Sequence, residues 1–566
     1  MQYDEQELQQ KALAYIHSER TEAFRAEVRL SLERKDWADL YDRFSTSLSF
    51  GTAGMRGLIG GGTNRINTFM VEKVTQGLAR YLQENNKKNS VVIAYDSRHY
   101  SKEFALSAAL VLSANNIQAL LFDTLHPVPL LSFSIRYLQA SAGIVITASH
   151  NPSVYNGYKV YYSDGGQVTP PHDVGIAARA NAVTAEDIRR LDEHKARDSR
   201  MLLSVPSSVD EAYYHMVFSS LRRPSLFLDS PVTVAYTPLH GTGNIPVRHM
   251  LHQIGVRCVV VSEQELPDGD FPTVKLPNPE SPEAMTMVLA LARKERADIV
   301  LGTDPDADRL GIAIPTDAEK SEYRLLTGNQ IAALLCEYLI TTAKELHTES
   351  RTPVVVKSLV TTDLVRRITE ANGGVCRDVL TGFKYIAEQM SVLEGTEGKD
   401  RYFLFGCEES YGFLCVNQVR DKDAVSSAVT AVEMLCYYAR NGITGMQKLD
   451  EIYDKYGYST EIVFSRDFKG AAGKNEMRAV MEDKRKLKKG DMLAGKKIGS
   501  VVDLLQPGSG FPQSDVLVIY LESGEKVVVR PSGTEPKIKY YLFLSGKRED
   551  LEGKESSLKA EFEKVL

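Results

Sequence analysis

Short apolar runs recur along the chain, separated by segments of helical length that keep one polar face. "VVIAY" at 91–95 precedes a predicted helix near 102–114, then "IQALLF" at 117–122 and "AGIVI" ending at Ile146. A second set holds "VTVAY" from 232, a helix after Gly243, "RCVVV" at 257–261, a helix near 281–295 and "DIVLG" at 298–302. A third holds a helix near 328–346, "VVV" at 354–356, "YFLF" at 402–405 and a helix from about 424 to 438. Strands alternating with helices of this length predict parallel or mixed sheets covered on both faces. The first fifty residues are charged and read as a helical extension packed on the first domain. After a Lys-rich run at 484–497 the rhythm changes, and "DVLVIYLESGEKVVVR" reads as a hairpin turning at Ser523-Gly524 in a separate α+β domain. Polar stretches near 195–210 and 446–460 are the expected linkers, so the predicted domains are 1–205, 206–320, 321–452 and 453–566.

Length and composition agree with that division. A chain of 566 residues exceeds one hydrophobic core, and three to five domains is the natural expectation. Its 68 basic and 74 acidic residues leave a net charge of −6, which gives no global attraction to nucleic acid. No apolar stretch approaches the roughly 18–20 residues of a membrane span, and the polar start "MQYDEQELQQ" does not resemble a secretory signal. Six scattered cysteines without a CxxC pair read as reduced thiols. A cytoplasmic protein without membrane or nucleic-acid partners, monomeric or homodimeric, is expected.

Each α/β set contains a strand that empties into a polar loop: "TASHNP", "GTDPDADRLG" and "GCEESYG". Ligands in open α/β sheets bind beyond the carboxyl ends of strands, so three similar domains offer three loops. Asp304, Asp306 and Asp308 alternate, and in an extended segment all three face one side. Three facing carboxylates repel unless a cation holds them, and an all-oxygen set suits Mg2+ or Ca2+; the alternative is an acidic turn capping a helix. An EF-hand is excluded, because Arg309 stands where the loop needs Gly and Pro315 where it needs Glu.

"RPSGTEPKIK" supplies Arg530, Ser532, Gly533 and Thr534, a fork, hydroxyls and flexible backbone suited to a phosphate, with Lys537 adding charge. Neither this loop nor "IGGGTN" at 59–64 is a Walker A motif. Glu408 and Ser410, two apart in "GCEESYG", pair an acceptor with a donor–acceptor as adjacent sugar hydroxyls require, although acidic turns are common. Lys357, Thr381, Gly382 and Lys422 are unremarkable singly. Ser149 lies in T-A-S-H-N rather than in an esterase G-x-S-x-G elbow, and a His directly following it is not expected to fold back as its base. A serine, an isolated metal loop and a phosphate cradle together point to phosphoryl transfer, against the plainer reading of a turn serine.

With these loops in order, the chain resembles the α-D-phosphohexomutase superfamily of phosphoglucomutases and phosphomannomutases in its long form, from "SFGTAGMRG" (49–57) to "RPSGTEPKIKYY" (530–541). That resemblance implies three related mixed α/β domains and a C-terminal domain like a TATA-binding-protein sheet, around a central cleft. By position, Ser149 would carry the phosphoryl group, and Asp304, Asp306 and Asp308 would hold one Mg2+ with a phosphate oxygen on that serine. Arg309 would help position the phosphoserine or substrate, Thr52 and Arg56 would line the first-domain side, and His150 and Lys159 would be candidate acid/base groups near the reacting hydroxyl. Glu408 and Ser410 would read the sugar, while Arg530, Ser532, Gly533 and Thr534 would grip the second phosphate, completed by Lys357, Thr381, Gly382 and Lys422. The chain has "TGF" and "SYG" where short bacterial members carry "TGH" and "SGH".

The implied activity is interconversion of glucose 1-phosphate and glucose 6-phosphate, with glucose 1,6-bisphosphate as intermediate and activator. Mannose phosphates are physically easy second substrates. The competing readings are a phosphopentomutase and a non-catalytic sugar-phosphate sensor.

Overall fold

The computed structural model describes residues 4–51, 54–85, 89–227, 232–347, 349–468, 473–532 and 537–566. They form two compact units: residues 1–326, 386–398 and 410–441, and residues 327–385, 399–409 and 442–566.

The first unit carries two sheets of one design. In the first, β1 (Gly54–Leu58), β2 (Ser90–Tyr95), β3 (Gln118–Leu121), β4 (Ala142–Ile146), β5 (Tyr155–Tyr162) and β6 (Leu202–Ser204) run in the order β1-β5-β4-β2-β3-β6. In the second, β7 (Thr233–Thr237), β8 (Arg257–Val260), β9 (Ile299–Thr303), β10 (Leu310–Pro315) and β11 (Tyr323–Leu325) run β11-β10-β9-β7-β8. The central strands β4, β2 and β3, like β9, β7 and β8, are parallel, and one antiparallel pair follows β4 and β9. β4 and β9 are wholly buried, which is why they read as unbroken apolar runs.

Helices Glu5–Ser18, Glu22–Glu33 and Trp37–Phe44 form the N-terminal extension around Leu8, Tyr15, Val28 and Phe44. It is tied to the first sheet domain by Phe24, which joins that core, and by the buried Glu19, which accepts from the Phe69 amide at 3.1 Å.

The second unit holds β12 (Thr352–Ser358), β13 (Val375–Val379) and β14 (Arg401–Glu408), with β12 parallel to both others. The chain then returns to the first unit as β15 (Gly412–Leu414) and the helix Ala424–Arg440. Its last part is an antiparallel sheet of β16 (Tyr458–Asp467), β17 (Met492–Leu493), β18 (Lys496–Asp503), β19 (Leu517–Leu521), β20 (Lys526–Pro531) and β21 (Lys537–Gly546), in the order β16-β21-β20-β19-β18-β17. Leu359, Val360 and Leu380 share an apolar cluster with Val528, Tyr541 and Phe543 of that sheet.

Both stretches expected to be linkers carry regular structure. The 195–210 stretch contains β6, which pairs in parallel with β3, and 446–460 contains the helix Gly445–Tyr456 and the start of β16. Their polar composition reflects an edge strand and a capped surface helix; Thr444 accepts from the Gln447 amide while the Gln447 side chain accepts from the Thr444 amide. β11 pairs with β10, so the second sheet runs past the boundary expected at residue 320.

Candidate active site

Two loops of the first unit meet at their tips. One, residues 147–154, joins β4 to β5; the other, Asp304 to Arg309, joins β9 to β10, and both leave the carboxyl end of a central strand. The second loop is held from several sides. The Asp306 carbonyl accepts from Val128 N at the start of a helix, the Ala307 carbonyl from Ala424 N, and the Pro305 carbonyl from Thr242 N and Oγ1. Gly241 permits that approach, since a Cβ there would lie 2.4 Å from Pro305 Cα.

The three aspartates converge through a turn rather than an extended segment. Ala307 takes φ 50°, and Asp304 Oδ1 accepts from the amides of Asp308 (3.1 Å) and Arg309 (3.0 Å). All three carboxylates are buried, each with an oxygen within 4.8 Å of the others'. Burial first, then the neighbouring carboxylates, push Asp304 well above the usual carboxylate range and Asp308 also upward. Burial acts on Asp306 too, but the Lys159 ammonium at 3.0 Å outweighs it and holds that carboxyl below its usual range.

Asp306 Oδ1 and Asp308 Oδ1 are buried with no hydrogen-bond partner among the described residues. Orphaned oxygens of this kind in a triad of carboxylates are the donor set a hard divalent cation takes, so these residues fit Mg2+.

Ser149 faces this cluster. Its Oγ donates to Asp304 Oδ2 at 2.7 Å, and Thr147 Oγ1 donates to Asp306 Oδ2 at 3.1 Å. Ser149 is 4 % exposed and takes φ 51°, a left-handed conformation that costs a non-glycine residue about 1–2 kcal/mol. That conformation overturns one expectation: the next residue does reach back, with His150 Nδ1 at 3.2 Å from Ser149 Oγ. Burial, then the guanidinium groups of Arg309 and Arg56, hold the His150 pKa well below its ordinary value, so the imidazole is neutral near pH 7.

The cations are arranged about the acids. Lys159 Nζ lies 3.8 Å from Asp308 as well, and Lys422 Nζ lies 3.1 Å from Asp308 and from Asp421. Lys422 owes its place to its neighbour Asp423, which caps the helix Ala424–Arg440 by accepting from Val425 N and Ser426 N. The structure therefore sets Lys422 at the acidic cluster. Arg309 forms an ion pair with Glu280, and Arg56 donates to Asn151 Oδ1 at 2.7 Å.

In the second unit the Glu408 carboxylate accepts from Gly382 N at 2.7 Å, and Thr381 Oγ1 is buried without a hydrogen-bond partner. A turn follows Glu408, so Glu408 and Ser410 do not share an extended loop. Ser532 N donates to Lys537 O at 2.7 Å, and Lys537 pairs with Asp467. Gly533, Thr534 and Thr52 lie outside the described residues.

Lys357 is fully buried, with Nζ 2.9 Å from Asp378, 3.1 Å from Asp363 and 3.1 Å from the Thr361 carbonyl. Burial pushes its pKa down, but the two carboxylates outweigh this and raise it, so Lys357 is a charged member of a buried ion-pair cluster. Lys357→Met is expected to destabilise the second unit by about 1–3 kcal/mol, because Asp378 and Asp363 each lose one of two cations and keep Arg366 and Lys526. Denaturant unfolding measures this; an unchanged midpoint would contradict the ion-pair role.

Sequence reading missed Asp96, Arg98, Glu280 and Asp421. For Arg98 the sequence holds a signal: "DSR" directly follows the apolar strand "VVIAY", just as the other polar loops follow theirs.

The fold and its relatives define an enzyme of the intramolecular phosphotransferase class. Profiles described as phosphoglucomutase/phosphomannomutase α/β/α domains I, II and III match residues 47–187, 211–317 and 327–456. A phosphoglucomutase of Staphylococcus epidermidis is 37 % identical over 512 residues, covering 88 % of this chain and 91 % of the relative. Among solved structures, the open form of the Paramecium phosphoglucomutase pp63/parafusin matches with TM-score 0.70 and 17 % identity, covering 92 % of this chain and 94 % of that one. A phosphoglucomutase/phosphomannomutase family protein of Burkholderia thailandensis matches with TM-score 0.65 and 16 % identity, over 92 % and 97 %. The chain belongs to the phosphoglucomutase/phosphomannomutase family.

Proposed function

We propose that the protein interconverts glucose 1-phosphate and glucose 6-phosphate through a phosphorylated Ser149 and a glucose 1,6-bisphosphate intermediate, in the cytoplasm. The observation that carries this reading is the 2.7 Å contact of Ser149 Oγ with Asp304, one of three buried aspartates. In the forward step the P–Oγ bond of phosphoserine breaks as a P–O bond to the free sugar hydroxyl forms. The bisphosphate then turns around, and its other phosphate returns to Ser149.

Asp304, Asp306 and Asp308 would hold Mg2+ through the oxygens left open on the cluster. When bound, Mg2+ supplies positive charge to the phosphoryl oxygens, where phosphoryl transfer needs it most. Each transfer moves one proton from the attacking hydroxyl to the departing oxygen. Neutral His150, with Nδ1 3.2 Å from Oγ, is placed to give Ser149 its proton or take it. Lys159, beside Asp306, is the second group on the reacting side. The remaining assignments follow by position in the family: Arg309 helps position the phosphoserine or substrate, Thr52 and Arg56 line the first-domain side, Glu408 and Ser410 read the sugar, Arg530, Ser532, Gly533 and Thr534 grip the other phosphate, and Lys357, Thr381, Gly382 and Lys422 complete the anion and sugar contacts.

A coupled assay with glucose 1-phosphate, mannose 1-phosphate and ribose 1-phosphate, each with glucose 1,6-bisphosphate, tests the reading. Fastest turnover is expected on glucose 1-phosphate, with mannose 1-phosphate slower and no free phosphate released. Preference for ribose 1-phosphate would make the protein a phosphopentomutase, and steady phosphate release would make it a phosphatase.

A further inference from the structure

The segment bearing Ser149 is held in shape by one buried side chain outside the reacting groups. Arg98 follows β2, is 3 % exposed, and donates four hydrogen bonds to backbone carbonyls, three in the β4–β5 loop and one at Tyr155, the first residue of β5. Nη1 reaches Pro152 O at 2.8 Å and Tyr155 O at 3.0 Å, and Nη2 reaches Ser149 O and Asn151 O. The guanidinium also pairs with the buried Asp96 and lies under the Phe271 ring, 5.0 Å from its centroid. Asp96 in turn accepts from Arg98 N and Ser101 Oγ. One planar cation thus joins the first sheet, the serine loop and a loop of the second sheet domain.

These contacts bear directly on where Oγ points. Ser149 takes φ 51°, which its own side chain does not favour, and its carbonyl is fixed by Arg98 while its amide donates to Thr147 Oγ1 at 2.8 Å. With both peptide groups held, Oγ is aimed at Asp304. Without the guanidinium, four carbonyls lose a shared donor, and the left-handed turn keeps only the Thr147 bond to its amide and the Asn151 N to Ala148 O bond across it. A lysine cannot replace it, since a single ammonium on a flexible stem does not span carbonyls on either side of a planar fork.

We infer that Arg98 is a positioning residue for phosphoryl transfer: it acts through the backbone of residues 149–155 to keep the Ser149 oxygen aligned with the acidic cluster. This rests on Ser149 being the phosphoryl carrier. The inference separates geometry from binding. Misplacing the reacting oxygen by about 1 Å costs on the order of 100-fold in rate without changing the contacts that bind substrate.

The test compares wild type, Ser149→Ala, Arg98→Lys and Arg98→Ala with glucose 1-phosphate and glucose 1,6-bisphosphate, with melting temperatures recorded alongside. Arg98→Lys, which keeps the charge beside Asp96, covers the case in which Arg98→Ala does not fold. Expected are a kcat about 100-fold lower in Arg98→Lys, a KM within about threefold of wild type, and partial recovery of kcat in Arg98→Ala on adding guanidinium chloride at low millimolar concentration. A merely structural role would lower kcat only in step with the folded fraction and would show no recovery. A folded Arg98→Lys with wild-type kcat, or loss without guanidinium recovery in a folded Arg98→Ala, overturns the inference. An active Ser149→Ala overturns instead the phosphoserine reading beneath it.

Discussion

Ser149→Ala is expected to lower mutase turnover by about 10^6-fold, the scale on which loss of a covalent nucleophile acts where no other group can replace it. No substitute is at hand. Thr147 Oγ1, a neighbouring hydroxyl, already donates to Asp306 and accepts from the Ser149 amide. The fold has little reason to suffer: the strained φ of 51° at residue 149 is no worse for Ala than for Ser, and Arg98 holds the loop by its backbone. Sugar-phosphate binding is therefore expected to persist while phosphorylation of the protein disappears. Intact mass after incubation with glucose 1,6-bisphosphate, beside a coupled turnover assay, reads both at once. Residual turnover within tenfold of wild type would place the phosphoryl carrier elsewhere.

Asp306→Asn is expected to lower turnover about 1,000-fold, several kcal/mol of lost charge stabilisation. Asp306 is the carboxylate held ionised by Lys159, whereas burial and mutual repulsion push Asp304 and Asp308 toward the neutral form. The amide would remove a charge and leave the Lys159 ammonium facing a neutral group. Mg2+ affinity, measured by calorimetry, is expected to fall at least tenfold, the lower end of what lost carboxylate support costs elsewhere. Chelation of wild type is expected to stop turnover, and added Mg2+ to restore it. Turnover that survives both chelation and the substitution would sink the metal assignment.

The chemistry was more legible in the sequence than its geometry was. Asp304, Asp306 and Asp308 could be named because acidic residues at alternate positions after an apolar strand are hard to explain otherwise. Their convergence, however, depends on Ala307 taking a left-handed turn, which no local pattern announces. A His directly following Ser149 is not expected to fold back toward it; the left-handed backbone at Ser149 brings the imidazole to Oγ all the same. Lys422 illustrates a different barrier. Its ammonium reaches Asp308 because a segment more than 100 residues later returns to the first unit, and periodicity carries no trace of that return. The α/β alternation was readable because β4 and β9 are buried on both faces. The edge strand β6 and the helix Gly445–Tyr456, half exposed and polar, passed for linkers.

The most direct measurement follows the phosphoryl group itself. Protein incubated with glucose 1,6-bisphosphate labelled in its phosphates, then digested and sequenced by mass, is expected to carry label on Ser149 alone. Addition of unlabelled glucose 1-phosphate and Mg2+ is expected to move that label onto sugar within one turnover. Label on another residue, or label on Ser149 that no sugar phosphate removes, would contradict the account.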